Sequence, residues 1–208
     1  MKFYSQYAQD KYLYDNHLKD VKDGYFLDIG AHDGISLSNT MFFEKEMGWK
    51  GICIEPNPVV FDKIVKNRDC ICLNGCIADF TGKSKFLKIE GYCEMLSGLI
   101  DEYDERHLKR IDYELQRFGG SKEIIEVDCF KIEDVLAENN ISKIDFCSLD
   151  VEGIELKILQ SIDFSKVSID FFTIENAYKT VKIKRLLQSN GYKLIEVLDC
   201  DEIYKKIS

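Results

Sequence analysis

Four short segments place acidic side chains where a strand would end. They read YFLDIGAHDG (25–34), GICIEPNP (51–58), FCSLDVEGIE (146–155) and FFTIEN (171–176). Each begins with an apolar run typical of a buried strand, and three of them continue into glycine or proline, which favour a turn. Carboxylates at such positions can bind hydroxyls, attract cations or remove protons. Because parallel strands end on one edge of a sheet, these side chains are expected to converge on one site.

The turn after the first predicted strand has a carboxylate, Asp28, two residues before its first glycine, Gly30. Gly30 and Gly34 permit a sharp turn and a close ligand approach, but their G-x-x-x-G spacing differs from the dinucleotide pattern G-x-G-x-x-G. A carboxylate there repels a pyrophosphate and favours an ammonium or sulfonium group. S-adenosylmethionine (SAM) carries both cations and no phosphate, so the turn favours SAM. The structural alternative is a satisfied carboxylate at a strand end.

A second acidic residue, Glu55, ends the next strand 21 residues after Gly34. Adenosine-binding α/β folds place an acid there that accepts hydrogen bonds from both ribose hydroxyls. The segment CLNGCIADF (72–80) then follows the third predicted strand, where an adenine edge would lie. The residues expected around the adenine are Cys76, Ile77 and Ala78, with Asp79 or a backbone amide reading its amino group.

Short apolar runs alternate with amphipathic stretches along the chain, which predicts an α/β fold with a parallel sheet and helices on both faces. Strands are predicted at Tyr25–Ile29, Gly51–Glu55, Cys70–Asn74, Ile144–Leu149, Ile169–Glu175 and Tyr192–Leu198. Helices are predicted near Gln6–Leu18 and at Leu37–Met47, Val59–Asn67, Ile154–Ser161 and Tyr178–Ser189. Residues 192–207 favour an antiparallel hairpin that turns at Asp199–Asp201.

One stretch, residues 81–128, interrupts this alternation. It contains predicted strands at Lys85–Ile89 and Ile124–Asp128 and a charged helix that ends near Arg117. Insertions of this size usually cover the ligand face of an α/β scaffold. We therefore expect a single domain over residues 1–208 with a substrate cap at about 81–128.

Composition limits the function classes. A net charge of −9 argues against a nucleic-acid partner, which requires a basic surface. The eight cysteines lie mostly in apolar runs without a CxxC pair, as expected for buried thiols in the reducing cytoplasm. The sequence contains no apolar run of about 18 residues, so membrane insertion is not expected. The N-terminus lacks the apolar core of a signal peptide.

Several motifs together resemble one family. LDIGAHDG, IEPNP, SLSNTMFFE and above all SLDVEGIE are similar to the FkbM family of SAM-dependent methyltransferases, as is the opening SQYAQDKYL. The resemblance implies a class I, Rossmann-like methyltransferase with a mixed seven-stranded sheet and a C-terminal antiparallel hairpin. It also implies O-methylation of a sugar or glycan hydroxyl. The expected cofactor-binding residues are Asp28, Gly30, Ala31, Asp33, Gly34, Ser36, Asn39, Glu55, Pro56, Cys76, Ile77, Ala78 and Asp150.

Methyl transfer to an alcohol needs help in removing the hydroxyl proton. Asp150 and Glu152 are the candidate catalytic bases, although Glu152 also suits the cap of a helix beginning near Gly153. By resemblance to metal-dependent sugar O-methyltransferases, Asp150, Glu175 and Asn176 are expected to hold Mg²⁺ or Mn²⁺, with Asn176 replacing an acid. Glu155 is expected at the surface. The candidate substrate-binding residues are Ser97, His107 and Tyr178.

Two other functions remain open at the level of sequence. An NAD(P)-dependent oxidoreductase is disfavoured by the glycine spacing and by Asp28. A non-catalytic SAM-fold module that binds a partner through residues 81–128 would bind cofactor without turnover, or would not bind it. The residues do not specify the sugar, the hydroxyl or the oligomeric state, nor whether the chain is a module of a larger protein.

Overall fold

The computed structural model describes residues 1–103 and 105–207, except for the side chain of Glu102. In chain order the strands are β1 (Tyr25–Ile29), β2 (Lys50–Glu55), β3 (Ile71–Asn74), β4 (Cys76–Ile77), β5 (Gly82–Glu90), β6 (Gly98–Leu99), β7 (Ser121–Phe130), β8 (Lys143–Leu149), β9 (Ser168–Glu175), β10 (Tyr192–Leu198) and β11 (Asp201–Lys206). The helices are α1 (Gln9–Leu13), continued by a π-helical turn (Tyr14–Leu18), α2 (Met41–Met47), α3 (Pro58–Asn67), α4 (Glu105–Phe118), α5 (Ile132–Glu138), α6 (Glu155–Ser161) and α7 (Val181–Ser189).

The main sheet has seven strands in the order β10-β11-β9-β8-β1-β2-β3. Strands β3, β2, β1, β8 and β9 run parallel, while β11 is antiparallel to both β9 and β10. The strand order reverses at β1, which lies between β2 and β8, so the carboxyl end of β1 is the expected ligand site. The predicted mixed sheet with a C-terminal hairpin is confirmed.

Apolar side chains alternate between the two faces of this sheet because successive residues of a strand point in opposite directions. Phe26 of β1 joins a core with Phe42, Trp49 and Ile64, beside α1, α2 and α3. Leu27, the next residue, joins the other core, which is covered by α5, α6 and α7. Helices therefore lie on both faces, as the sequence predicts.

Two helices begin later than their sequence patterns predict. Helix α2 begins at Met41 instead of Leu37, and α7 begins at Val181 instead of Tyr178. Leu37 and Lys179 have φ of 58° and 50°, which a right-handed helix cannot include. Thr180 accepts a hydrogen bond from the Lys182 amide and so caps α7. The loop before α2 lines the ligand cavity through Leu37, Ser38 and Asn39.

The stretch predicted as a cap builds most of a second sheet. Strands β5 and β7 pair antiparallel from Gly82↔Cys129 to Glu90↔Ser121, and β4 and β6 complete the order β4-β7-β5-β6. Helix α4 packs on this sheet through Ile111, which joins a small core with Leu87, Ile89, Cys93 and Leu96. Residues 91–99 then pass over the carboxyl edge of the main sheet, where several of them line the ligand cavity.

The eight cysteines all fall within the described residues, and each is a free thiol. Over residues 1–103 and 105–207, the helices are too short or too polar to cross a bilayer.

Candidate active site

A cavity of about 700 Å³ opens at the carboxyl ends of β1, β2, β8 and β9. This volume lies within the range typical of small-molecule sites. Strand ends supply one wall and residues 91–99 with α4 supply the opposite one. The predicted residues that line it are Asp28, Gly30, Ala31, Ser36, Asn39, Glu55, Pro56, Cys76, Ile77, Ser97, Asp150, Glu152 and Glu175.

The glycine turn after β1 is packed against the loop after β8. Gly30 has a φ of 86°, and a Cβ placed on it would lie 1.7 Å from the backbone oxygen of Asp150. Residues other than glycine are therefore excluded at this position. The amides of Gly30 and Ala31 both donate to the backbone oxygen of Ile54, at 3.0 Å. These contacts hold the ends of three neighbouring strands in one rigid edge.

Asp28 is buried beneath this turn and is partly neutralised there. Its Oδ2 accepts a hydrogen bond from the Thr40 hydroxyl and lies 3.8 Å from Nη1 of Arg68. Burial raises the pKa of Asp28, while Arg68 and the hydroxyls of Thr40 and Ser38 lower it. From the sequence, Asp28 is expected to be the charge that selects a cationic cofactor. Arg68 compensates much of that charge, so the electrostatic attraction must come from other carboxylates.

Glu55 has both carboxylate oxygens fixed by backbone amides. Oε1 accepts from the Asn57 amide at 2.8 Å, and Oε2 accepts from the His32 amide at 3.1 Å. Each oxygen keeps a second lone pair, which can accept from a ligand hydroxyl. Burial raises the pKa of Glu55 to about 8 against these hydrogen bonds, and the nearby carboxylates Glu94 and Asp28 add to the rise.

Asn39 presents an unsatisfied acceptor. Its amide nitrogen donates to the Ser148 hydroxyl at 3.0 Å, but its buried Oδ1 accepts no hydrogen bond from the described residues. A buried carbonyl without a donor is costly, and a bound ligand that carries an N–H group would relieve this cost.

Three carboxylates meet across the ends of β8 and β9. One oxygen each from Asp150, Glu155 and Glu175 lies within 4.8 Å of the other two, an arrangement able to hold a metal ion. Asp150 is accessible to the cavity, Glu175 is half-buried, and Glu155 is buried. Oε1 of Glu155 accepts from the amides of Val151 at 3.1 Å and Gly153 at 3.0 Å, which fixes the loop around Glu152.

The acidic cluster holds protons more tightly than ordinary carboxyl groups. Burial, followed by repulsion from Glu175 and Glu152, raises the pKa of Asp150 well above its usual range. Burial raises the pKa of Glu155 to about 7 against bonds from the Gly153 amide, and repulsion from Glu175 adds to the rise. Burial and then Asp201 raise the pKa of Glu175. A cation bound among these groups would replace the protons.

Glu152 faces the cavity from a strained backbone position. Its φ of 57° is unusual for a residue with a side chain, and such strain is common at functional sites. Oε2 of Glu152 lies 3.6 Å from Nη1 of Arg110 and 3.7 Å from Nδ1 of His107, both on α4. Burial, with repulsion from Glu175, raises the pKa of Glu152 to about 8 despite Arg110. Helix α6 begins at Glu155, and Ile154 rather than Glu152 takes the capping position.

Three predicted cofactor residues lie outside the cavity lining, and two of them shape the glycine turn. Asp33 accepts from the amides of Ile35 and Ser36 and from the Ser36 hydroxyl. Gly34 makes room for Arg68, because a Cβ there would lie 2.8 Å from Cγ of Arg68. Ala78, the residue after β4, is buried. None of the three is among the residues that line the cavity.

Three other predicted residues also lie behind the cavity wall. Asn176 is buried, where its Oδ1 accepts from the Thr180 amide and its Nδ2 donates to Glu202. The expected metal ligand Asn176 is therefore committed to the loop before α7. His107 and Tyr178 meet at 3.4 Å between Nδ1 and the phenol oxygen, and neither lines the cavity.

Several residues of the site were not predicted from the sequence. Glu155 is buried at the metal-type cluster, so its expected surface position is wrong. Asp201 lines the cavity because β11 pairs it directly with Glu175. The predicted hairpin places Asp201 at a turn, but no local pattern shows that β11 rather than β10 pairs with β9. Arg110 and Glu114 reach the cavity from α4, and no local pattern indicates that.

The profile of the methyltransferase FkbM domain matches residues 28–194 of the chain. The matched range includes the glycine turn, Glu55 and the acidic ends of β8 and β9. The chain belongs to the FkbM methyltransferase domain family. Family membership supports SAM as the cofactor of this FkbM domain. A search of curated protein sequences found no match.

Solved structures resemble this FkbM domain at low sequence identity. The FkbM methyltransferase of Methylobacillus flagellatus is 14% identical with a TM-score of 0.52, and the match covers 95% of this chain and 47% of that one. The N-terminal domain of human METTL16 is 12% identical with a TM-score of 0.49, covering 95% of this chain and 68% of that one. A METTL16 methyltransferase domain is 14% identical with a TM-score of 0.49, and the match covers 95% of this chain and 66% of that one. The chain thus spans about half to two thirds of these proteins, and the Methylobacillus likeness supports the fold.

Proposed function

We propose that the FkbM domain is a SAM-dependent O-methyltransferase that acts on a hydroxyl of a sugar or glycan in the reducing cytoplasm. The observation that carries this proposal is the convergence, in one cavity, of a nucleoside-type carboxylate and a separate acidic cluster. Glu55 lies at the end of β2, while Asp150, Glu152 and Glu175 lie at the ends of β8 and β9. The first suits a ribose and the second suits a cation and a reacting hydroxyl.

The residues of the cavity fit SAM. Glu55 can accept hydrogen bonds from both ribose hydroxyls, and Pro56, Cys76 and Ile77 give apolar walls for the adenine. The unsatisfied Oδ1 of Asn39 suits the ammonium group of the methionine part. When bound, SAM supplies a methyl group on a sulfonium, which an oxygen nucleophile can take in line with the leaving sulfur.

The carboxylates also fit a divalent metal ion. Asp150, Glu155 and Glu175 would hold Mg²⁺ or Mn²⁺ through hard oxygen ligands, with waters completing the shell. A cation there would supply a Lewis acid that makes a bound hydroxyl more acidic. This set replaces the expected Asn176 by Glu155.

Glu152 is the general base that removes the proton of the acceptor hydroxyl. A sugar hydroxyl with a pKa of about 12–13 costs about 7–8 kcal/mol to ionise at pH 7. Glu152, with a pKa of about 8, matches the requirement that a general base titrate near the working pH. Arg110 and His107 lie beside its Oε2 and hold it toward the cavity. Asp150 is the alternative base if no metal ion binds.

Calorimetric titration with SAM, with and without Mn²⁺, tests the proposal in the wild type and in Asp150→Ala. We expect SAM to bind the wild type in both conditions and Mn²⁺ binding to be lost in the variant. No heat from SAM at high protein concentration would defeat the functional proposal. Unchanged Mn²⁺ binding by Asp150→Ala would defeat the metal assignment alone. A parallel fluorescence titration with NADH and NADPH discriminates the oxidoreductase alternative, and methyl transfer to a sugar hydroxyl excludes a non-catalytic module.

A further inference from the structure

Two aromatic rings lie side by side at the rim of the cavity. Tyr92 lines the cavity and is 75% exposed, and Phe118 is 46% exposed. Their ring centroids are 4.5 Å apart, with an angle of 35° between the planes. Single exposed apolar side chains are common, but a contiguous pair beside a cavity indicates a contact surface. We call Tyr92 and Phe118 the aromatic pair.

The backbone beneath the aromatic pair is tightly held. Tyr92 follows β5 by two residues and Phe118 ends α4, on either side of the crossing of Gly91 with Gly120. A Cβ on Gly91 would lie 3.2 Å from Cα of Gly120, and one on Gly120 would lie 2.3 Å from the oxygen of Glu90. This crossing brings the two backbones into contact, so the residues that carry the two rings start close together at the rim of the cavity.

The surroundings of the aromatic pair select the chemistry of its ligand. The cavity walls nearest the aromatic pair carry the carboxylates Glu94 and Glu114. Nζ of Lys63 lies 3.3 Å from Oε1 of Glu94, and Nε of Arg110 lies 3.0 Å from Oε1 of Glu114, so these two cations are ion-paired. A phosphorylated ligand or a nucleic acid would meet this acidic wall at a cost, and the net charge of −9 adds to it. A neutral ligand is favoured.

A pyranose ring combines the required features. Its axial C–H groups form an apolar face that packs on the negative face of an aromatic ring, while its hydroxyls remain free to bond carboxylates. The guanidinium of Arg117 lies 5.0 Å from the centroid of Phe118 and can donate to a sugar hydroxyl at the edge of the pair.

We infer that the aromatic pair is a subsite for the sugar that neighbours the acceptor sugar in a neutral oligosaccharide or glycan. This inference rests on the proposed function and narrows its substrate class. The acceptor sugar enters the cavity beside Glu152, and the adjoining sugar stacks on Tyr92 and Phe118 outside it. The substrate is therefore an extended chain of uncharged sugars rather than a free monosaccharide, a sugar phosphate or a nucleotide sugar.

Titration of protein carrying ¹³C-labelled tyrosine and phenylalanine with defined glycans tests the inference by NMR. The probes are maltotriose, cellotriose, mannotriose and chitotriose, compared with glucose and with glucose 1-phosphate. We expect at least one trisaccharide to shift the ring signals of Tyr92 and Phe118, and the two monosaccharides to leave them unshifted. Tyr92→Ala should weaken binding of that trisaccharide by about tenfold, because the apolar contact is lost, whereas Tyr92→Phe should keep most of the affinity.

Tyr113→Ala is the matched control, because Tyr113 is an exposed tyrosine of α4 that is not among the residues lining the cavity. It should bind the trisaccharide as the wild type does, and thermal midpoints show whether each variant is folded. If SAM binds but no trisaccharide shifts Tyr92, the subsite is refuted and the methyltransferase proposal stands. Equal binding by folded Tyr92→Ala also refutes the subsite. Absence of SAM binding refutes the methyltransferase proposal itself and the inference that rests on it.

Discussion

Nη1 of Arg68 lies 3.8 Å from Oδ2 of Asp28, beneath the glycine turn and away from solvent. The same guanidinium donates to Glu44 at 2.6 Å, to the Thr40 hydroxyl at 2.9 Å and to the backbone oxygen of Gly34 at 3.0 Å. One buried cation therefore compensates two carboxylates and fixes the loop after β1. The carboxylate that first suggests a cationic ligand thus has a protein partner, and a cation in the cavity would instead displace protons from the acids beyond it.

Removing this cation should destabilise the fold. In Arg68→Met, Asp28 and Glu44 stay buried without compensation, which costs about 3–5 kcal/mol of the free energy of unfolding. Urea denaturation measures the change. Asp69→Asn is the control, because Asp69 is exposed and its side chain bonds only the surface residue Lys45 among the described contacts. Wild-type stability in Arg68→Met would contradict the role given to this network.

The ligand-free protein should lose stability as the pH rises from about 5 to about 8.5. The pKa values of Glu55 and Glu152 are raised to about 8 and that of Glu155 to about 7, so the folded state binds more protons than the unfolded chain in this window. Carboxyls with lowered pKa values, such as Asp33 and Asp163, act below this window.

Thermal midpoints recorded across this range check the sign of the effect. Glu152→Gln should flatten the pH dependence, since it removes one of the titrating groups. A midpoint that rises with pH between 5 and 8.5 would show that the buried carboxyls do not control stability.

Glu55 should determine the affinity for SAM. Glu55→Gln removes a charged acceptor of two ribose hydroxyls, and losing a hydrogen bond to a charged group costs about 1.5–3 kcal/mol, or about ten- to a hundredfold in Kd. Calorimetric titration with SAM gives the Kd of the wild type and of the variant. Asp79→Asn is the control, because Asp79 is exposed and lies 3.7 Å from Lys157, outside the cavity. A larger effect of Asp79→Asn would restore the expected adenine contact and displace the ribose assignment.

The metal ligands can be separated by two substitutions. Glu155→Gln should weaken Mn²⁺ binding by about tenfold or more, because one of three clustered carboxylates is lost. Asn176→Ala should leave Mn²⁺ affinity unchanged, since the Asn176 side chain bonds Thr180 and Glu202 behind the cavity. Electron paramagnetic resonance of free Mn²⁺ measures both. The reverse ranking would return the site to the set expected from sequence.

Much of the site's framework could be predicted because it depends on local patterns. The strand ends at Asp28, Glu55 and Glu175 follow from apolar runs that stop at a carboxylate, and a parallel sheet brings such ends to one edge. The register of β11 against β9 could not be predicted from the sequence, and this register places Asp201 next to Glu175. Register depends on pairing partners distant in sequence, which a single segment does not encode.

The sequence by itself determined the family, the positions of the acids and most of the order of strands and helices, since these depend on the spacing of residue types along the chain. Helix α5 and the short strands β4 and β6 were not predicted. The tertiary structure alone decided which charges are free. It placed Arg68 beside Asp28 and bonded the Asn176 side chain to the loop before α7. It also brought carboxylate oxygens of Glu155 and Asp150 within 4.8 Å of each other. Those outcomes depend on contacts between residues far apart in the chain and on burial, which decide whether a carboxylate keeps a protein partner or stays available to a ligand.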